Sequence, residues 1–149
     1  MFDVLKDLAL VDNQVTSQII EDLIDEHAPT RAKTLALYER YKTDSVPVFD
    51  RKFDDEGKIN RKLNNSFDSE IIDTKVGYFI GYPISYQVDD EQDNVEAMDK
   101  VIQNFNYRSG IADLDSETVK MATICGYAGR LHYIDVEGDE RAMLLYPWA

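Results

Sequence analysis

Cysteine, histidine and basic charge are all scarce in this chain of 149 residues. There is one cysteine, so a disulfide scaffold is excluded. Cys125, His27 and His132 together fall short of the about four ligands that a structural Cys/His zinc site needs. No run approaches the ~18 apolar residues of a membrane span. The first residues, Met-Phe-Asp-Val-Leu-Lys-Asp, lack the basic flank and apolar stretch of a secretory signal. Repeats of roughly 20–50 residues and low-complexity tracts are missing. Missing too are a phosphate loop, a Gly-x-Ser-x-Gly elbow and a His-Glu-x-x-His pair. Lys and Arg number 16 against 29 Asp and Glu, a formal charge of −13. Duplex-reading surfaces need cations to displace counterions, so sequence-specific DNA binding is not expected. What remains is a soluble, intracellularly made protein forming a single domain over residues 1–149.

The residues present favour a packed core. Hydrophobic types make 44% of the chain, and Phe and Tyr supply six and nine rings, which argues against a disordered acidic tail. Helical spacing recurs along the sequence. Ile19, Ile20, Leu23, Ile24 and His27 form one stripe of a helix starting at Thr16 or Ser17, with Ser17 as its cap, opposite Glu21, Asp22, Asp25 and Glu26. Pro29 is expected to end that helix near Glu26, with a second helix from Arg31 to about Lys42. Pro47, Asp50, Asp54, Asp55 and Gly57 interrupt every period in residues 43–62, which reads as a surface loop or weak hairpin.

A third helix is expected from Asn64 or Ser66 to Phe79. Leu63, Phe67, Ile71, Thr74 and Tyr78 form its stripe, widened by Ile72, Val76 and Phe79, so it should be covered on more than one side. Gly81 and Pro83 stop it. Ile84, Tyr86 and Val88 alternate with polar residues and predict a short half-buried strand. A fourth helix spans about Asp93 to Tyr107. A fifth opens at Asp115 as its cap and carries Thr118, Met121, Ala122 and Cys125 inward. A hairpin closes the order, with strands Tyr127–Asp135 and Arg141–Tyr146 around a turn. The fold class is α+β, mainly helical, with about five helices, one short strand and a C-terminal β-hairpin.

No catalytic, cofactor-binding or metal-binding constellation stands out. Cys125 lies on an apolar stripe with nothing near it to lower its pKa, so it reads as an inert thiol. His132 and Asp135 point to opposite faces of a strand. Asp135, Glu137 and Asp139 sit in a turn too short to wrap a calcium ion. Lys58, Arg61 and Lys62 are a lone basic group and read as a solvated helix entry. Gly77-x-x-x-Gly81 permits close approach of a neighbouring element.

The segment Asn64-Asn65 … Ile72-Asp73-Thr74-Lys75-Val76-Gly77-Tyr78-Phe79-Ile80-Gly81-Tyr82-Pro83-Ile84-Ser85-Tyr86 resembles the portal proteins of tailed bacteriophages, in the siphophage family common among phages of Gram-positive hosts. Ile24-Asp25-x-His27 with Arg31, Leu35, Tyr38 and Tyr41 is similar to the early helices of that family. Gly126-Tyr127-Ala128 … Leu131-His132-Tyr133-Ile134-Asp135, with Gly138 and Arg141, is similar to its hairpin. The resemblance runs over residues ~17–146 in order. It implies a non-enzymatic, structural subunit of a dodecameric ring in the virion, at the portal vertex of the head, assembled in the host cytoplasm. The ring conducts double-stranded DNA during packaging and ejection, without a membrane. Its implied partners are other copies of itself, the terminase packaging motor, head-completion or adaptor proteins, and the major capsid or scaffold protein. The residues present would be the wing of a truncated subunit lacking stem, clip and crown. Asp73, Thr74, Lys75, Gly77, Tyr78, Phe79, Gly81 and Pro83 would then be structural. Gly77 and Gly81 would allow close packing, and Pro83 would fix the exit into the strand. A rival reading is an acidic binding module that mimics nucleic acid and inhibits a basic partner, with the acids of Asp89–Asp99 as its contact.

Overall fold

The computed structural model describes residues 15–42, 46–52, 57, 59, 61–89 and 94–149. Four helices and a two-stranded antiparallel hairpin lie within them: α1 (Ser17–Tyr41), α2 (Phe67–Ile80), α3 (Val95–Ser109), α4 (Ile111–Cys125), β1 (Gly129–Ile134) and β2 (Glu140–Leu145). The mainly helical α+β class and the terminal hairpin agree with the sequence reading. The helix count does not, because the first two expected helices are one.

α1 begins where expected, but Thr16 and not Ser17 is its cap. The Thr16 hydroxyl accepts the Ile19 N–H at 3.3 Å, a side-chain cap that satisfies one free amide of the first turn. The helix then runs straight past Pro29 to Tyr41. Proline lacks an N–H and crowds the preceding turn, which is why it reads as a stop. Here the second half of α1 is anchored, which carries the helix through the weak point. Thr34 is buried, and its hydroxyl bonds to the carbonyls of Thr30, Arg31 and Pro147. Arg31 Nε donates to the Trp148 carbonyl at 2.9 Å. Tyr38, Trp148 and Tyr146 stack in series, with centroids 4.5 and 5.1 Å apart. The strap Tyr146–Ala149 therefore lies along α1.

α4 is the hub, since α1, α2, α3 and β2 all pack on it. Ile111, Met121 and Ile124 are the apolar side chains buried most deeply among the described residues. The helix starts four residues before the expected cap. Gly110 adopts a left-handed conformation, φ +56°, and serves at once as the end of α3 and the start of α4. Glycine takes that conformation without a Cβ penalty. Asp115 is consequently inside the helix, not at its mouth.

The hairpin registers Gly129 with Leu145 and Ile134 with Glu140. Its turn is closed by the Asp135 carboxylate, which accepts the N–H groups of Glu137 and Asp139, both at 2.9 Å. Gly138, at φ +86°, makes the reversal. Arg130, His132, Ala142 and Leu144 share the face that meets the helices: Arg130 reaches Asp115 and Thr118, and His132 stacks on Phe105.

The expected strand at Ile84–Val88 does not form. Residues 83–89 hold no ladder partner among the described residues, and a strand needs one to satisfy its backbone groups. Side-chain bonds at Tyr86 and Val88 help to hold the segment instead. Tyr86 Oη donates to Asp115, and the Val88 N–H donates to Asp99 at 3.3 Å. Of residues 43–62, Pro47–Phe49 forms a short 3-10 turn, consistent with a loop. Residues 43–45, 53–56, 58 and 60 lie outside the described residues, as do Lys58 of the basic group and residues 90–93 of the acidic run.

Candidate assembly surface

α2 carries two apolar stripes, and its fold covers one. Ile72, Val76 and Ile80, spaced by four, are half-buried on the side that packs on α4. Asp68 and Ser69 extend this side at the helix entry: Asp68 accepts Arg40 Nε at 2.6 Å, and the Ser69 hydroxyl donates to the Tyr41 carbonyl. The stripe that the sequence marks as principal faces the other way. Leu63, Phe67, Ile71 and Tyr78 of that stripe are all exposed, Ile71 by 67% and Tyr78 by 93%, and so is Phe79 of the residues that widen it. Of the cover expected on more than one side of this helix, the described fold supplies one side. Phe67, Glu70, Ile71, Thr74, Lys75 and Tyr78 line an open groove of about 630 Å³ along this outer face. A contiguous exposed apolar strip with a sparse polar rim is the mark of a contact surface, since scattered apolar residues are ordinary and aligned ones are not.

The residues singled out from sequence divide between the two sides of this helix. Asp73 accepts the Tyr41 hydroxyl at 2.7 Å and so ties α2 to the end of α1. Burial first, then the Asp73 carboxylate, pushes the Tyr41 hydroxyl up to about 12. Thr74, Lys75, Tyr78 and Phe79 face outward. A Cβ added at Gly77 would meet nothing within 4 Å, so no described residue makes the close approach that the glycine pair permits. A Cβ at Gly81 would strike the Gly77 carbonyl, because α2 ends there in a tight bend. Pro83 is exposed after that bend and leads into the extended segment.

The best-built polar cluster in the described residues was not legible in sequence. Asp115 is only 4% exposed. It accepts Arg130 from β1 at 2.6 Å and the Tyr86 hydroxyl at 2.8 Å. Arg130 also donates to Thr118 at 3.0 Å. The buried carboxylate thus joins the linker after α2, the hub and the hairpin. It is a fully partnered tie with no unpaired group aimed into a cavity, and it has the form of a structural clasp. Burial raises the Tyr86 hydroxyl, with Asp115 adding to the shift.

Asp135, Asp139 and Cys125 are also engaged. Asp135, Glu137 and Asp139 bring their oxygens close together, but Asp135 holds Arg141 Nε at 2.8 Å and Asp139 holds Arg108. Cys125 contacts the Thr34 carbonyl, and burial pushes its thiol up, away from the reactive thiolate. No described helix is long and apolar enough to cross a membrane.

No curated protein matches the chain significantly. A family model described as phage portal protein, SPP1 Gp6-like, matches residues 20–149. That span takes in all of α2, α3, α4 and the hairpin, and α1 from its first turn onward. The chain belongs to the SPP1 Gp6-like family of phage portal proteins.

Proposed function

We propose that this chain supplies the wing region of a portal ring subunit, and that the outer stripe of α2 is covered in the assembled ring. The family is structural and non-enzymatic, and its members belong to the phage head as oligomeric rings. The finer reading is that the ring conducts double-stranded DNA inward during packaging and outward during ejection. The packaging motor, head-completion proteins and capsid or scaffold protein dock on it. A −13 chain suits a conduit, because a wall poor in cations releases few counterions and holds DNA weakly.

The observation that carries the assembly reading is the exposed row Phe67, Ile71 and Tyr78 on a helix whose opposite row is already packed. Asp73 ties that helix to Tyr41 at the end of α1, and Thr74, Lys75 and Gly77 lie on open surface. A second copy approaching along Gly77 would meet backbone with no side chain in the way. Sedimentation velocity and negative-stain imaging of the purified chain test this. Ring-sized particles support it. A monomer that stays dispersed at high concentration and binds a basic partner through its acids overturns it in favour of a nucleic-acid mimic.

A further inference from the structure

The hairpin has a second apolar face. Arg130 and His132 of β1 reach Asp115 and Phe105 on the helices, so the alternate residues Leu131 and Tyr133 stand on the opposite side. The register sets Leu131 against Met143 and Gly129 against Leu145. Leu131, Tyr133, Met143 and Leu145 are exposed by 40–45%. Two apolar rows thus lie side by side on the face turned away from Asp115 and Phe105. Gly129 keeps that face low beside Leu145, whose side chain a Cβ there would touch. A two-stranded sheet is marginal on its own, and a sheet buries an apolar face against another layer.

Symmetry says what that layer is. A closed ring of more than two copies is built from one repeated heterologous contact, in which the surface offered by one copy differs from the surface it meets on the next. The outer row of α2 therefore needs a different partner surface on the same chain. The exposed pairs Ile20 and Ile24 on α1, and Met98 and Val101 on α3, are single rows on a helix, whereas the hairpin offers two rows side by side. The dimensions also agree. Phe67 to Tyr78 spans about 16 Å at about 1.5 Å per helical residue. Gly129 to Tyr133 spans about 13 Å at about 3.4 Å per strand residue, and two strands with their side chains are about 10 Å wide, near the diameter of one helix.

We infer that in the ring the outer row of α2 on one copy lies across the outer face of the hairpin on the next. Phe67, Ile71 and Tyr78 then cover Leu131, Met143 and Leu145, and the open side of Gly77 lets the strands come close. This rests on the ring reading above and names the two halves of its contact.

Cysteines placed at exposed positions test it in a Cys125→Ala background. A disulfide forms only where two Cα atoms come within about 7 Å. The chain carrying both Ile71→Cys and Met143→Cys should, on oxidation, give a ladder of linked chains running beyond the dimer on a non-reducing gel. Each single variant should stay a monomer on that gel. Dimers from Ile71→Cys alone would pair α2 with α2 and overturn the inference. Ring-sized particles in which the double variant gives no ladder overturn it too, and leave the ring reading standing. A chain without these cysteines that sediments only as a monomer overturns the ring reading, and the inference with it. Met143→Asp gives a second measurement: ring-sized particles should be lost with the far-ultraviolet circular dichroism unchanged, and rings that persist overturn the inference.

Discussion

Asp115 shows how little a residue's type says about its task. As a sequence element it stands before Ser-Glu-Thr and has the makings of a helix cap. In the fold it is buried in mid-helix and clasps Arg130 and Tyr86. Nothing in the local pattern discloses this, because both partners come from elsewhere in the chain. Removing one side of a buried ion pair strands the other charge. Asp115→Ala should therefore cost ~3 kcal/mol, the lower end for such pairs because Arg130 is 20% exposed. Urea denaturation would measure it, and a loss under ~1 kcal/mol would contradict the clasp. The Tyr41 hydroxyl gives a prediction in pH. It donates to Asp73 only while protonated, and its folded pKa lies above its ordinary value of 10.0, at about 12. Its contribution is fully present below the unfolded pKa and is lost as pH rises through the folded one. Tyr41→Phe should flatten the alkaline end of the stability profile. Asp135 has the opposite sign. Arg141, then the Asp139 amide, hold its carboxyl below the usual range, so its contribution is present above the ordinary carboxylate pKa and is lost on acidification. NMR titration of Arg141→Met should show that carboxyl moving back up.

At the scale of elements, periodicity disclosed α2, α3 and the hairpin with their approximate bounds. It failed where tertiary context prevailed over local rule. Pro29 reads as a stop, yet Thr34, Tyr38 and the Trp148 strap hold α1 together beyond it. Ile84–Val88 reads as a strand, yet without a ladder it is only an extended segment pinned at Tyr86 and Val88. On α2 one wide apolar face was legible, but not which part of it faces inward, because only the packing on α4 decides. Gly77 separates folding from assembly. With open space at its Cβ position, Gly77→Ala should stabilise the isolated chain by ~0.5–1 kcal/mol, the ordinary gain in a helix interior. In the ring reading, Gly77→Leu should leave the monomer folded and weaken association. Thermal denaturation together with sedimentation separates the two effects.

At the scale of the whole molecule, the described fold buries few apolar side chains and leaves a long row of them outside. In the proposed ring, neighbouring copies cover that row. Ile71→Asp should change monomer stability by no more than ~0.5 kcal/mol, as exposed substitutions do. The same change should abolish ring-sized particles, because it places a charge in the buried centre of a contact. A fall in monomer stability above ~2 kcal/mol would instead assign the row to intramolecular packing. The family was legible in the sequence through the resemblance carried by the Asp73–Pro83 segment. The surface it presents was not, because exposure is a property of the folded chain.

The stacked rings at the end of the described chain have a practical corollary. Trp148 is the lone indole of the protein, and it sits where the residues following β2 meet the second half of α1, between Tyr38 and Tyr146. Its emission is therefore a built-in optical gauge, free of any competing tryptophan signal, for whether the two ends of the described fold are joined.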